Sequence, residues 1–272
     1  MNIHEALTFG ETMLKHFGIA DPRWNAERLL LLTLNKDRAY LYSNLQTEVN
    51  EEKERAYRAM LSRRAVHYPL AYLEGVQEFF GREFIVNESV LIPRPETEEI
   101  IRMVLQLSLP SSPIILDIGS GSGAIGVTLA EEIPGARVVA LELSGPALSV
   151  LLQNARGKLL PVRGDLYHLP FQDSSFDIVV SNPPYVELSE FKTLPDETRW
   201  EPREALVGSK DIFKTLIYSA NRILKKGGSL IFEIGAGQNE RISELSAKTP
   251  LTLKQIRPDH QNIPRTVLFQ KD

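Results

Sequence analysis

Ile114-Ile115-Leu116-Asp117-Ile118-Gly119-Ser120-Gly121-Ser122-Gly123-Ala124-Ile125-Gly126 is the stretch that decides the fold. A short apolar run containing one acid meets alternating glycines, and a helical pattern follows. Such a run, bounded by glycine, reads as a buried strand. The glycines permit positive φ and close backbone approach to a ligand. The helix behind them offers free N–H groups in its first turn. Strand, glycine loop and helix are the opening unit of a parallel α/β sheet. Downstream, Arg137-Val138-Val139-Ala140-Leu141 reads as a second strand that ends at Glu142. Residues 159–162 and 176–181 read as the third and fourth strands, 228–234 as the fifth, and 251–256 with 266–270 as a final pair. The expected fold is therefore a Rossmann-like, mostly parallel seven-stranded sheet. In open sheets of this kind ligands lie at the carboxyl ends of the strands, near the point where strand order reverses. The 119–123 loop, Glu142, Asp165, Leu166 and Asn182 all fall just past predicted strands, so they should converge on one edge.

What the loop would hold is open on its own residues. Gly121-x-Gly123-x-x-Gly126 matches a dinucleotide fingerprint, with Glu142 at a plausible distance to accept from ribose hydroxyls. Asp117 argues against a pyrophosphate, which its charge would repel, and for a ligand carrying an ammonium group. Asp165 and Leu166 are candidates for an adenine, a carboxylate for its amino group and an apolar side chain for its face. Asp165 reads equally well as a turn residue after Gly164.

Ser181-Asn182-Pro183-Pro184-Tyr185 follows the fourth strand. Two prolines fix φ and remove two backbone donors. One side-chain amide, carbonyls that can only accept, and one aromatic face remain. That set suits a planar –NH2 group, with oxygens accepting its two hydrogens and the Tyr185 ring packing on its plane. A proline-rich turn after a strand is the plainer alternative for the tetrad taken by itself.

The chain has 272 residues, enough for a substantial core and two domains. Its hydrophobic content of 43% and charged content of 24% are ordinary for a globular protein. It has no cysteine, which excludes disulfides and thiolate metal sites and fits a cytoplasmic setting. The first residues carry neither a basic nor an apolar segment, so no secretion signal is expected, and no apolar run reaches membrane-spanning length. A net charge of −4 argues against a large nonspecific nucleic-acid footprint. Residues 1–75 read as a small helical bundle, equally typical of a substrate-docking module and of a stability module: Ile3, Ala6, Leu7, Gly10, Met13, Leu14 and Phe17 recur at helix spacing, and Gly18 fits as a C-terminal stop. Asp21-Pro22 reads as a capped start. A further helix begins after Asn50, with Tyr57, Met60 and Leu61 on one face. Residues 76–91 read as a β-hairpin linker turning at Gly81. Residues 92–272 open with the stiff run Ile92-Pro93-Arg94-Pro95-Glu96-Thr97-Glu98 and hold the sheet.

Asp-x-Gly-x-Gly-x-Gly with an acid at strand two is similar to the S-adenosylmethionine site of class I methyltransferases. Pro69-Leu70-Ala71-Tyr72-Leu73-x-Gly75-Val76-x-Glu78-Phe79, the Pro-Arg-Pro-x-Thr-Glu element, Asn182 to Tyr185, and Glu201-Pro202-x-x-Ala205-Leu206 extend the likeness over nearly the whole chain. With them the chain resembles the HemK/PrmC family, the N5-glutamine methyltransferases that modify peptide chain release factors in translation termination. Two departures stand out: Glu142 where the family usually has Asp, and Leu166 where some members carry an aromatic. The resemblance implies S-adenosylmethionine as methyl donor, S-adenosylhomocysteine as product, and the glutamine of a Gly-Gly-Gln loop as acceptor. It implies a cofactor site made of Asp117, Gly119, Ser120, Gly121, Ser122, Gly123, Glu142, Asp165, Leu166 and Asn182. It also implies a reacting site at Asn182, Pro183, Pro184 and Tyr185, with no metal. Class I release factors would be the protein partner, docked by residues 1–75, with no direct nucleic acid, no membrane, and a monomer as the simplest state. The same tetrad also serves glutamine methylation of a ribosomal protein and N6 methylation of adenine in DNA or RNA. A nicotinamide oxidoreductase would leave the tetrad unexplained.

Overall fold

The computed structural model describes all 272 residues. The chain divides into two units, Met1–Gly75 with Pro195–Trp200, and Val76–Leu194 with Glu201–Asp272.

The smaller unit contains α1 (Ile3–His16), α2 (Pro22–Leu34), α3 (Arg38–Ser43), α4 (Glu51–Ala65) and α5 (Leu70–Glu74). A reciprocal cap starts α1: Asn2 Oδ1 accepts from the Glu5 N–H at 2.8 Å, and Glu5 Oε2 accepts from the Asn2 N–H at 2.9 Å. Gly18, at φ +72, follows its end as expected. Asp21 departs from its expected capping role. It is left-handed at φ +47 and its side chain makes no cap bond; the Asn25 amide donates to the Ala20 and Asp21 carbonyls instead. Leu7, Leu14, Leu29, Leu30, Tyr57 and Leu61 form the apolar centre. Gly10 lets α1 come close, since a Cβ there would sit 2.1 Å from the Tyr57 hydroxyl oxygen. Arg64 is buried and donates to Asn25 Oδ1 at 2.7 Å, the Tyr68 carbonyl at 3.2 Å and Glu197 Oε2 at 3.0 Å. The Trp200 indole donates to the Val66 carbonyl at 3.2 Å. Residues 195–200, far downstream in sequence, are fastened to the helices by these bonds.

The larger unit opens with a hairpin of β1 (Val76–Phe79) and β2 (Arg82–Ile85), paired antiparallel. Phe80 and Gly81, at φ +51 and +71, form its two-residue turn, as strand twist favours. Expected as a connector, the hairpin is packed into this unit, with Phe79 and Phe84 buried in its core. Then follow α6 (Glu98–Leu105), β3 (Ile114–Ile118), α7 (Ala124–Glu132), β4 (Arg137–Glu142), α8 (Gly145–Ala155), β5 (Leu160–Arg163) and β6 (Phe176–Ser181). The chain ends with α9 (Arg203–Leu206), α10 (Ile212–Ile223), β7 (Leu224–Glu233), α11 (Asn239–Ser246), β8 (Thr252–Pro258) and β9 (Pro264–Gln270).

The seven strands lie in the order β5-β4-β3-β6-β7-β9-β8, parallel except for β9, which runs antiparallel to both neighbours. β7 starts at Leu224 rather than at 228, because Leu224 still pairs with Phe176 across a bulge. One face of the sheet is covered by α6, α7 and α8 through Ile101, Val104, Leu129 and Leu151. The other is covered by α10 and α11 through Phe213, Leu216, Ile217 and Ile242. Burial on both faces explains why β3 and β6 are almost continuously apolar. From β3 the chain moves outward through β4 and β5, then returns to the opposite side as β6. The loops after β3 and β6 thus part at the switch point and leave a crevice there.

Candidate active site

The crevice is a cavity of about 590 Å³. Gly119, Ser120, Gly121, Ser122, Glu142, Asp165, Leu166, Asn182, Pro183 and Pro184 line it, so ten of the sequence-derived site residues converge. Asp117, Gly123 and Tyr185 are not among the lining residues.

The glycine loop is pinned to the end of β4. The N–H groups of Gly119 and Ser120 donate to the Leu141 carbonyl at 2.9 and 3.2 Å, and Ser120 Oγ donates to the same oxygen at 3.1 Å. Gly119 and Gly121 take φ +69 and +54, and nothing lies within 4 Å of where their Cβ atoms would be. A side chain at either position would be both strained and directed into open space. Glu142 accepts from the Gly121 N–H through Oε2 and from the Ser144 N–H through Oε1, each at 2.8 Å. Each oxygen keeps a second acceptor position, enough for vicinal ribose hydroxyls. Asn154 of α8 ties the loop to the hairpin, donating to the carbonyls of Ser122 and Ile85 at 2.9 Å each.

Asp117 is fully buried beneath the loop, where Oδ2 accepts from the Gly126 N–H at 2.9 Å. It thereby satisfies a first-turn donor of α7. Oδ1 has no hydrogen-bond partner. Burial pushes the carboxyl up to about 7, the Gly126 bond opposes that rise, and the charge of Glu142 adds to it. Asp165 lies half-buried, with Oδ1 accepting from the Tyr167 N–H at 3.0 Å as its turn requires. It remains on the cavity wall beside Leu166.

Asn182 stands at the end of β6 in a hydrogen-bonded chain. Its Nδ2 donates to Thr97 Oγ1 at 3.1 Å, and the Thr97 hydroxyl donates to Glu233 Oε2. The Tyr185 hydroxyl donates to Glu233 Oε1 at 2.9 Å. Burial drives the Glu233 carboxyl upward, opposed by its bonds from Thr97 and Tyr185. Burial, with Glu233 beside it, holds Tyr185 well above the ordinary phenol range, so it stays a donor. Gln238 grips the same residue from the other side: its Nε2 donates to the Tyr185 carbonyl at 3.1 Å while its Oε1 accepts from the Gly235 N–H at 2.8 Å. Farther along, the Val186 N–H donates to the Leu206 carbonyl at 3.0 Å, and the Gly208 N–H to the Val186 carbonyl at 3.2 Å. Gly208 passes so near that a Cβ would lie 1.7 Å from the Pro184 carbonyl oxygen. Glu201 accepts from the Ile92 N–H at 2.9 Å and pairs with Arg94, which lines the cavity.

Glu233, Gln238 and Gly208 were not picked out from the sequence. Glu233 reads there as the close of a buried strand. The same strand-end rule that selects Glu142 and Asn182 would have marked it. Thr97 and Arg94 are legible only as parts of a proline-bounded motif.

A sheet of this order, with glycines opening its first βα loop onto a cavity and an acid ending the next strand, defines a class I S-adenosylmethionine-dependent methyltransferase. The Methyltransferase domain model matches residues 115–197, and the PrmC N-terminal domain model matches residues 5–75. The chain is 37% identical to the release factor glutamine methyltransferase of Geobacter sulfurreducens over 254 residues, 91% of this chain and 89% of that one. It is 37% identical to the protein of that name from Koribacter versatilis over 272 residues, 96% of each chain. With the one from Moorella thermoacetica the figure is 35% over 278 residues, 98% of each. The chain belongs to the release factor glutamine methyltransferase family, and its methyl donor is S-adenosylmethionine.

Proposed function

We propose that this enzyme methylates the side-chain amide nitrogen, N5, of the glutamine in the Gly-Gly-Gln loop of class I peptide chain release factors. The observation that carries the reading is that Asn182 and Pro183 share one cavity with the glycine loop and Glu142. A planar –NH2 held by the first pair would face whatever the second pair holds.

Bound S-adenosylmethionine supplies a methyl group on a positively charged sulfur. The chain's residues hold it and present the acceptor. Gly119, Ser120, Gly121 and Ser122 form the cradle, Glu142 accepts from the ribose, and Asp165 and Leu166 border the adenine. Asp117 and Gly123 support this loop. An amide nitrogen is a poor nucleophile because its lone pair is delocalised into the carbonyl. Asn182 Oδ1 and the Pro183 carbonyl accept its two hydrogens and fix its direction, an effect of orientation. The same two oxygens favour positive charge as it grows on nitrogen. Pro184 stiffens the loop, and Tyr185 holds its shape through Glu233 and Gln238.

The helical unit supplies selectivity, since one glutamine side chain offers little surface to recognise. On α2, Trp24, Arg28 and Leu32 are exposed at every fourth position and form one stripe. Tryptophan and arginine are the residue types that dominate protein interfaces. Residues 1–75 carry ten Lys/Arg and ten Asp/Glu, a balance that suits a protein partner better than a phosphate backbone. A substrate that works on the ribosome supports a cytoplasmic setting. No helix is long and apolar enough to cross a membrane. A tritiated-methyl transfer assay offering release factor, ribosomes and DNA side by side tests the reading. Label should enter release factor; label entering DNA or ribosomal protein alone would overturn it.

A further inference from the structure

We propose that Thr97 and Glu233 are positioning residues that set which end of the Asn182 side-chain amide faces the substrate. The inference rests on the glutamine-methylation reading and adds the part of the protein that gives the pocket its polarity.

The argument follows the protons. A threonine hydroxyl has one hydrogen to give. Thr97 gives it to Glu233 Oε2, and only lone pairs remain on Oγ1. Whatever approaches Oγ1 from the Asn182 side must then be a donor. Asn182 Nδ2 is that donor, at 3.1 Å. Rotating the amide by half a turn would bring Oδ1 against the spent oxygen, two acceptors in contact at a site where Thr97 and Glu233 are both buried. Such a contact forfeits a hydrogen bond and sets like partial charges together. The amide is therefore locked with Nδ2 toward Thr97 and its oxygen available to the cavity. Glu233 is suited to the task because its two oxygens are each engaged once, by Thr97 and by the Tyr185 hydroxyl. Each hydroxyl donates to its own Glu233 oxygen, so neither can turn its hydrogen elsewhere without losing that partner. One buried acid thus holds both ends of the tetrad. An isolated Asn182 would have two nearly isosteric orientations, one of which points –NH2 at the substrate –NH2.

Three full-length variants test this: Thr97→Val, Thr97→Ser and Glu233→Gln. Valine keeps the shape and removes the hydroxyl. Serine keeps the hydroxyl. Glutamine adds a donor that can occupy Thr97 Oγ1 and release the Thr97 hydrogen toward Asn182. Turnover of release factor and the dissociation constant for S-adenosylmethionine are measured for each, with folding checked by circular dichroism. Thr97→Val and Glu233→Gln should lower kcat by roughly 10- to 100-fold, the scale of loss expected when a positioned reacting group is misplaced by about 1 Å. KM for release factor and cofactor affinity should stay within about threefold of wild type. Thr97→Ser should restore most of kcat. If one variant does not fold, the other still decides. Turnover near wild type in folded Thr97→Val, cofactor affinity falling in step with turnover, or no rescue by serine would overturn the inference and leave the functional reading standing. Wild-type enzyme that transfers no methyl to release factor would overturn the reading and, with it, this inference.

Discussion

Asn182 is where a single side chain should matter most for turnover. On the proposed reading its amide oxygen would accept from the reacting nitrogen, so Asn182→Ala would remove one hydrogen bond that strengthens as charge develops. A loss of about 3 kcal/mol corresponds to roughly 100-fold in kcat. Steady-state kinetics on release factor checks this, and near-normal turnover in a folded variant would dismiss the role. Asp117 gives a prediction of a different kind, on pH. Its folded-state value of about 7 lies above the carboxylate value of about 3.9 expected in the unfolded chain. Between those two pH values the native state keeps a proton that the unfolded state has released. Stability from this group is therefore present at low pH and declines as pH rises through about 7. Denaturant titrations of cofactor-free wild type and Asp117→Asn at about pH 5 and about pH 8 should show wild type losing ground to the variant. Parallel behaviour would contradict the assignment. The position of Asp117 was legible as an acid before a glycine loop. That it would cap α7 was not, because capping depends on how β3 and α7 fold back on each other.

Elements set the loop that carries the tetrad. Segment 201–208 runs beside it, bonded through Val186, and Gly208 crosses the Pro184 carbonyl with no room for a methyl group. Gly208→Ala should displace that carbonyl and lower kcat roughly tenfold or more, for a stability loss of about 1–3 kcal/mol. Thermal unfolding paired with kinetics checks the split; unchanged kcat would mean the loop tolerates the shift. The strands themselves were legible because parallel strands buried on both faces are written as apolar runs between glycines. Their ends, Glu142 and Asn182, followed from the same pattern. Tyr185 was expected to offer its ring to the substrate, but that its hydroxyl would turn to Glu233 was not legible. Such a turn depends on β7 and the Gly235–Gln238 corner, whose proximity no local pattern encodes. The hairpin was visible from its alternation and its glycine, but Asn154, which stitches it to the glycine loop, reads only as a polar residue near a helix end.

At the scale of the whole chain, a helical unit and a sheet unit were legible from the change of period near residue 75. The return of residues 195–200 to the helices was not. Arg64 and Trp200 lie more than a hundred residues from their partners, and nothing local marks them. The exposed stripe of α2 is the natural place to look for release-factor recognition. Trp24→Ala in the intact enzyme should raise KM for release factor roughly tenfold, the loss of an interface anchor of about 1.4 kcal/mol, with cofactor affinity unchanged. An unchanged KM would move the docking surface elsewhere. The central claim is tested most directly by incubating the enzyme with S-adenosylmethionine and intact class I release factor, then locating the added methyl by peptide mass spectrometry. The expected product carries one methyl group on the side-chain nitrogen of the Gly-Gly-Gln glutamine, absent when that glutamine is replaced. A release factor left unmodified, or methylated at any other residue, would contradict it.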